Sequence, residues 1–171
     1  MKIAIIGYSG SGKSTLANFL GQHYNCEVLH LDKIHFTSNW QERIVDEMTD
    51  DISKCMLQKD WIIEGNYSTC LYEERMREAD CIVYFNFNRF NCLYRAFRRY
   101  LKYKGQTRPS MAENCKEKFD FEFVKWILLD GRSQKNVTKF KVVVEKYPDK
   151  TIVLKNQKQL NNYMKKVKKL L

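Results

Sequence analysis

The segment KIAIIGYSGSGKST, residues 2–15, constrains the fold more than any other part of the chain. Lys2 to Ile6 is a short apolar run that reads as a buried strand. It stops at Gly7, and Lys13 to His23 then reads as a helix. Between them, Gly7-x4-Gly12-Lys13-Ser14 fills every fixed position of a phosphate-binding loop (P-loop). Glycines let such a backbone curl so that its N–H groups converge on phosphate oxygens, and the helix N-terminus adds a favourable dipole. The loop residues Gly7, Ser9, Gly10, Ser11 and Gly12 are therefore expected to cradle a nucleoside triphosphate. Lys13 is placed to reach the β- and γ-phosphates, Ser14 to offer its hydroxyl to Mg²⁺, and Thr15 to bond a phosphate further back. The competing reading is a Gly/Ser-rich turn that only caps a helix. A P-loop does not name the group that receives the phosphate.

The rest of the chain alternates in the same way. Strands are expected at Glu27–Leu31, Trp61–Ile63, Cys81–Phe87 and Thr151–Leu154. Helices are expected at Gln41–Gln58, Leu71–Arg77, Arg89–Tyr103, from Phe121 toward Glu145, and from Gln157 to Leu171. On Gln41–Gln58 the residues Ile44, Val45, Met48, Ile52, Cys55 and Met56 share one face. On Arg89–Tyr103 the residues Phe90, Leu93, Phe97, Tyr100 and Leu101 run along one side. Alternating strands and helices imply a parallel sheet covered on both faces, an α/β architecture in which ligands bind beyond the carboxyl ends of the strands. The 171 residues suit one domain, and no repeat or linker divides them.

Asp32 and Glu64 stand at the ends of the second and third strands. In phosphoryl transfer one carboxylate can hold metal-bound water while another orients or deprotonates the acceptor. Asp32 suits the acceptor side, because Lys33, His35 and Trp40 follow it. Glu64 suits the metal side, because its strand should neighbour the first; Ser14 and Glu64 are the metal candidates. A cap or turn role competes for each, and Asn66 and Tyr67 either line the acceptor pocket or make the turn that Gly65 begins.

The chain carries 30 Lys and Arg against 20 Asp and Glu, a formal net charge of +10. Part of that excess is concentrated. From Cys81 to Ala112 there is no acid at all, while Arg89, Arg95, Arg98, Arg99, Lys102, Lys104 and Arg108 fall within twenty residues. Arginines closing over a nucleotide neutralise charge on the transferred group, which makes Arg95, Arg98 and Arg99 catalytic candidates and Arg108 a nucleotide contact. The segment 88–120 then reads as a lid. The rival use of the same charge is a groove for nucleic acid, with Tyr94, Tyr100 and Tyr103 as stacking partners. No stretch approaches the ~20 apolar residues of a membrane span, so no membrane partner is expected. The six cysteines contain no C-x-x-C pair and read as reduced thiols of a cytoplasmic protein.

Four stretches, GYSGSGKSTLA, VLHLDKIHF, WIIEGNYS and RFNCLYRAFRRYLKYKGQTRPSMAENC, together resemble the family of DNA topology modulation proteins. That family looks like a branch of the P-loop kinases related to adenylate and shikimate kinases. The resemblance implies a five-stranded parallel sheet in the order 2-3-1-4-5 with a helical lid. It implies ATP and Mg²⁺ bound by Gly10, Gly12, Lys13, Ser14 and Thr15. It also brings the loop before the last helix, with Asn156, toward the adenine. Such relatives often carry Asp after the third strand, where this chain has Glu64. The motifs together favour ATP-dependent phosphoryl transfer to a small acceptor such as a nucleoside or nucleotide. The alternative is an ATP-binding, DNA-associated regulator that is not itself a topoisomerase. The chain lacks the N-K-x-D signature of guanine-specific switches.

Overall fold

The computed structural model describes residues 1–169. Leu171, expected on the apolar face of the last helix, lies outside the described residues. Five strands form one parallel sheet: β1 (Lys2–Gly7), β2 (Val28–His30), β3 (Trp61–Glu64), β4 (Cys81–Phe85) and β5 (Thr151–Leu154), in the order β2-β3-β1-β4-β5. β1 lies at the centre, with Ile5 opposite Glu64 on β3 and Gly7 opposite Phe85 on β4. The apolar runs are explained by this placement. Ile3, Ala4, Ile5 and Ile6, Trp61, Ile62 and Ile63, and Ile82 and Val83 are all buried, since helices cover both faces.

The helices are α1 (Lys13–Tyr24), α2 (Leu31–His35), α3 (Val45–Met56), α4 (Tyr72–Glu78), α5 (Arg89–Tyr103), α6 (Phe121–Leu128), α7 (Gln134–Lys146) and α8 (Gln157–Lys168). Side-chain caps fix three of their starts: Asn88 accepts from the Phe90 N–H, Asp120 from the Phe123 N–H and Asn156 from the Gln159 N–H. α3 buries Met48, Ile52 and Met56, one turn apart.

Several expected boundaries shift. The second strand is shorter, and Leu31 and Asp32 open α2 instead of ending β2. The fourth strand ends at Phe85. The helix expected from Gln41 begins only at Val45, because the preceding residues are held extended: Arg43 N–H bonds His35 O, and Phe36 bridges Glu42. Ile44 and Val45 are consequently exposed rather than part of the buried face. The region from Phe121 to Glu145 is not one helix. A tight turn at Asp130–Arg132 divides α6 from α7.

α5 matches its expected range but not its expected face. The side that packs inward is Cys92 and Ala96, both buried, while Phe90, Phe97 and Leu101 stay largely exposed. The reason is the approach of the P-loop. The position of a Cβ on Gly10 is already filled by Cys92 O, with Ala96 Cβ next to it, so only small side chains fit on that face.

Candidate active site

The loop after β1 is shaped by two glycines in the left-handed region, Gly10 at φ 75° and Gly12 at φ 102°. Ser11, fully buried, folds its hydroxyl back onto Tyr8 O at 2.6 Å. Its side chain therefore braces the loop from inside and does not line the cavity. Lys13 Nζ rests 3.1 Å from the same carbonyl. No side chain caps α1, and no acid stands in its first turn. Its leading N–H groups and its dipole thus remain directed at whatever lies over the loop.

Asn66 holds this loop in place from the end of β3. Its side-chain oxygen accepts from the Gly7 N–H at 2.9 Å, and its amide donates to Gly7 O at 2.6 Å. The pair continues the β1–β3 ladder by one side-chain rung, just past the Gly65 N–H to Ile5 O bond at 3.0 Å. The backbone of the 65–70 loop is held by a cation. Arg75, fully buried, donates to the carbonyls of Gly65, Tyr67 and Cys70.

Glu64 lies at the foot of the P-loop, buried at 3% exposure. Its Oε2 takes hydrogen bonds from Ser14 Oγ at 3.1 Å and from His30 Nδ1 at 3.0 Å, and Lys13 Nζ lies 3.9 Å from Oε1. The other ring nitrogen of His30 meets the Asn18 side chain at 2.8 Å. Burial pushes the Glu64 pKa up, but the His30 hydrogen bond, Lys13 and Ser14 outweigh it and hold the carboxyl below its usual range. A buried anion is thus kept ionised next to the Ser14 hydroxyl.

Asp32 stands on the short helix α2. Its two oxygens accept from Tyr67 Oη at 3.0 Å and from Arg108 Nη2 at 3.3 Å. It caps nothing; both bonds reach other segments. Arg108 also faces Glu117, 3.7 Å away, and Arg99 binds the same carboxylate through Nε at 2.6 Å. Asp32, Arg108, Glu117 and Arg99 therefore form one chain of alternating charge. Burial and the neighbouring Arg108 lower the Arg99 pKa, and Glu117 opposes them. Phe36, Trp40, Tyr67 and Phe123 supply apolar walls to this side. His35 packs between Phe36 and Tyr67 and takes no position on the cavity wall.

A single cavity of about 1130 Å³ joins these groups. Ser9, Gly10, Gly12, Lys13, Ser14, Thr15, Asp32, Glu64, Arg95, Arg98, Arg99 and Arg108 all line it. α5 contributes its arginines from one flank. Arg95 lies against Gly12, where its guanidinium fills the position of a Cβ, and bonds the Gln157 side chain. Arg98 is exposed at the rim, over the Tyr94 ring. α6, packed against α5, adds Trp126, whose indole N–H donates to Ser9 Oγ at 3.3 Å. Gly7 sits behind the loop, paired with Asn66. Asn156 caps α8 and does not line the cavity, whereas its neighbour Gln157 meets Arg95.

Residue-by-residue reading missed His30, Glu117, Trp126 and Lys139. His30 had one available signal, since it stands two residues before Asp32 in the same strand-end stretch. Glu117 had another, because the acid-free segment ends just before it, at Glu113 and Glu117.

No family model and no curated protein matches the chain. Among solved structures it is similar to shikimate kinase from Bacteroides thetaiotaomicron, with a TM-score of 0.52 at 17% identity, covering 99% of this chain and 97% of that one. It is similar to a gluconokinase from Sinorhizobium meliloti 1021, with a TM-score of 0.53 at 14% identity over 99% and 92% of the two chains. It is likewise similar to deoxyadenosine kinase from M. mycoides with bound dATP, with a TM-score of 0.51 at 16% identity over 98% and 99%. None of these three is a DNA topology modulation protein. Together with the strand order, these likenesses establish the three-layer α/β fold of the P-loop kinases.

Proposed function

We propose that this protein is an ATP-dependent kinase that transfers a phosphoryl group to a small acceptor of the nucleoside or nucleotide kind. One observation carries this reading: Asp32 lines the same cavity as Lys13 and Glu64. A phosphate cradle, a metal-side carboxylate and an acceptor-side carboxylate are the parts that phosphoryl transfer needs.

In this mechanism the N–H groups of the P-loop and of the α1 N-terminus bind the β- and γ-phosphates, with Lys13 between them. The donor set fits Mg²⁺. Ser14 Oγ and Glu64 are hard oxygen ligands 3.1 Å apart. When bound, Mg²⁺ would neutralise charge between the phosphates. Glu64 would hold its water ligands, and His30 would fix the direction of Glu64. Asp32 would accept a hydrogen bond from the acceptor, orient its oxygen toward the γ-phosphorus and take its proton. Arg95 and Arg98 would reach the phosphates from α5, while Arg99 and Arg108 tie the acceptor wall together. The segment 88–120 would act as the lid, closing with Trp126 to exclude water.

The DNA-associated reading has less support. Arg99 and Arg108 are engaged with Glu117 and Asp32, which leaves fewer cations for a phosphate backbone. ATP use and six free cysteines suit the cytoplasm. No described helix is long and apolar enough to cross a membrane.

The test is a transfer screen with ATP and Mg²⁺ over nucleosides, nucleotides, sugar acids and polyols, read by ADP release and product mass. A product that disappears in Asp32→Asn supports the reading. Lack of any product, with tight DNA binding that is lost in Arg95→Ala/Arg98→Ala, would sink it.

A further inference from the structure

Two cations lie beneath the 65–70 loop, Arg75 fully buried and Lys139 partly so, and among the described residues neither meets a carboxylate. Arg75 directs its donors at three main-chain carbonyls. Lys139, on α7, crosses the faces of Tyr72 and Phe140 and donates Nζ to Asn66 O at 2.8 Å. Two of the other cation groups in the cavity contain their own counter-charges, while Arg95 stands against Gly12 of the P-loop. Glu64 answers Lys13, while Asp32 and Glu117 answer Arg99 and Arg108. Around Lys139 the charged neighbours are Arg75 and Lys135, both cations. Burial and the repulsion of Arg75 bring its pKa down to about 8.

A half-buried ammonium kept without an anion is costly. Yet Lys139 lines the cavity, and so do Ser68 and Thr69 from the loop it supports. An anion arriving there gains charge-assisted hydrogen bonds and relieves the repulsion between Lys139 and Arg75. The ATP phosphates already have their own cradle at Gly10–Thr15.

We propose that Lys139, with the hydroxyls of Ser68 and Thr69, forms an anion subsite on the acceptor side of the cavity, and that the acceptor carries a phosphate or carboxylate group. The subsite rests on the kinase reading for its purpose, but not for its detection. The anion exchanges the Asn66 carbonyl for its own oxygens as the partner of Lys139 Nζ. Arg75 stays on the loop carbonyls and keeps the loop in place.

The full-length protein, with its P-loop saturated by a non-hydrolysable ATP analogue and Mg²⁺, is acetylated briefly, and modification of Lys139 is read by peptide mass. Two matched pairs serve as probes: a nucleoside monophosphate against its nucleoside, and a sugar acid against its polyol. Protection of about tenfold by the monophosphate, with none by the nucleoside, is expected if the recognised group is phosphate. The same contrast in the second pair assigns carboxylate. Equal protection by charged and neutral partners, or by neither, overturns the subsite. So does an acceptor that is phosphorylated while Lys139 stays unprotected. Protection without transfer to any compound upholds the subsite and rejects the kinase reading. Lys139→Arg should retain acceptor KM within about threefold, and Lys139→Gln should raise it about tenfold with ATP KM unchanged. Matching thermal unfolding of the two variants separates this effect from misfolding.

Discussion

Asn66 completes the hydrogen bonding of Gly7 from both sides, accepting from its N–H at 2.9 Å and donating to its C=O at 2.6 Å. One side chain therefore does what a further residue of strand β3 would do, and it ties the end of β3, with Glu64 and Tyr67, to the loop that carries Lys13. Replacement by Ala leaves two main-chain groups at the P-loop base without partners. The expected loss is about 1–3 kcal/mol of stability in urea unfolding. Asn66→Asp should be worse than Asn66→Ala, because a carboxylate oxygen would then face Gly7 O. Equal stability of Asn66→Ala and the parent protein would refute the bracing role.

Asp32→Asn keeps the shape of the side chain and its bond to Tyr67 but removes the charge proposed to take the acceptor proton. Turnover should fall by about 10²–10⁴-fold, with ATP KM changed far less. Steady-state kinetics with both substrates varied checks this. A variant that keeps kcat and raises only acceptor KM would reduce Asp32 to a binding group.

The depressed pKa of Glu64 makes stability depend on pH in a definite direction. The unfolded carboxyl titrates near ~4.3. Its contribution is therefore fully present above that value and is lost as the pH falls through the lower, folded value. Urea midpoints measured from pH 7 to pH 3 should drop, and Glu64→Gln should flatten that acid limb while lowering the midpoint at pH 7. An unchanged acid limb in the variant would place the pH dependence elsewhere.

Glu117 is 8% exposed and relies on Arg99. Arg99→Met strands that carboxylate beside a single, more distant guanidinium, at an expected cost of about 3 kcal/mol. The double variant Arg99→Met/Glu117→Gln should recover much of it. Denaturation of the four-member cycle gives the coupling directly, and a purely additive double variant would argue against a shared network.

The P-loop, the strand count and the sheet-edge position of the two carboxylates were legible in the sequence because each depends on local pattern. Buried runs such as IAII and WIIE announce central strands, and Gly12-Lys13-Ser14 announces the helix after the first of them. The features that could not be read there depend on contacts across long sequence gaps. Arg99 and Glu117 are joined by a chain reversal, and Lys139 reaches Asn66 across 73 residues. The inward face of α5 misled for a related reason. Aromatic spacing suggested the packed side, but the close approach of Gly10 admits only Cys92 and Ala96. Helix α3 began late because its first expected turn is held extended by backbone bonds from α2, which amphipathic spacing does not encode.

The central place of β1 also bears on how the protein is made. Its two neighbours in the sheet, β3 and β4, begin at Trp61 and Cys81, and the Asn66 rung that braces Gly7 comes 59 residues after it. At roughly 5–20 residues per second of synthesis, the strand IAII emerges several seconds before anything can pair with it. During that interval this apolar strand has two unpaired edges, and the P-loop has no foundation. The P-loop is encoded first and assembled late, so a ligand of that loop cannot act as an early template for folding. It can only stabilise a sheet that has already closed around its first strand.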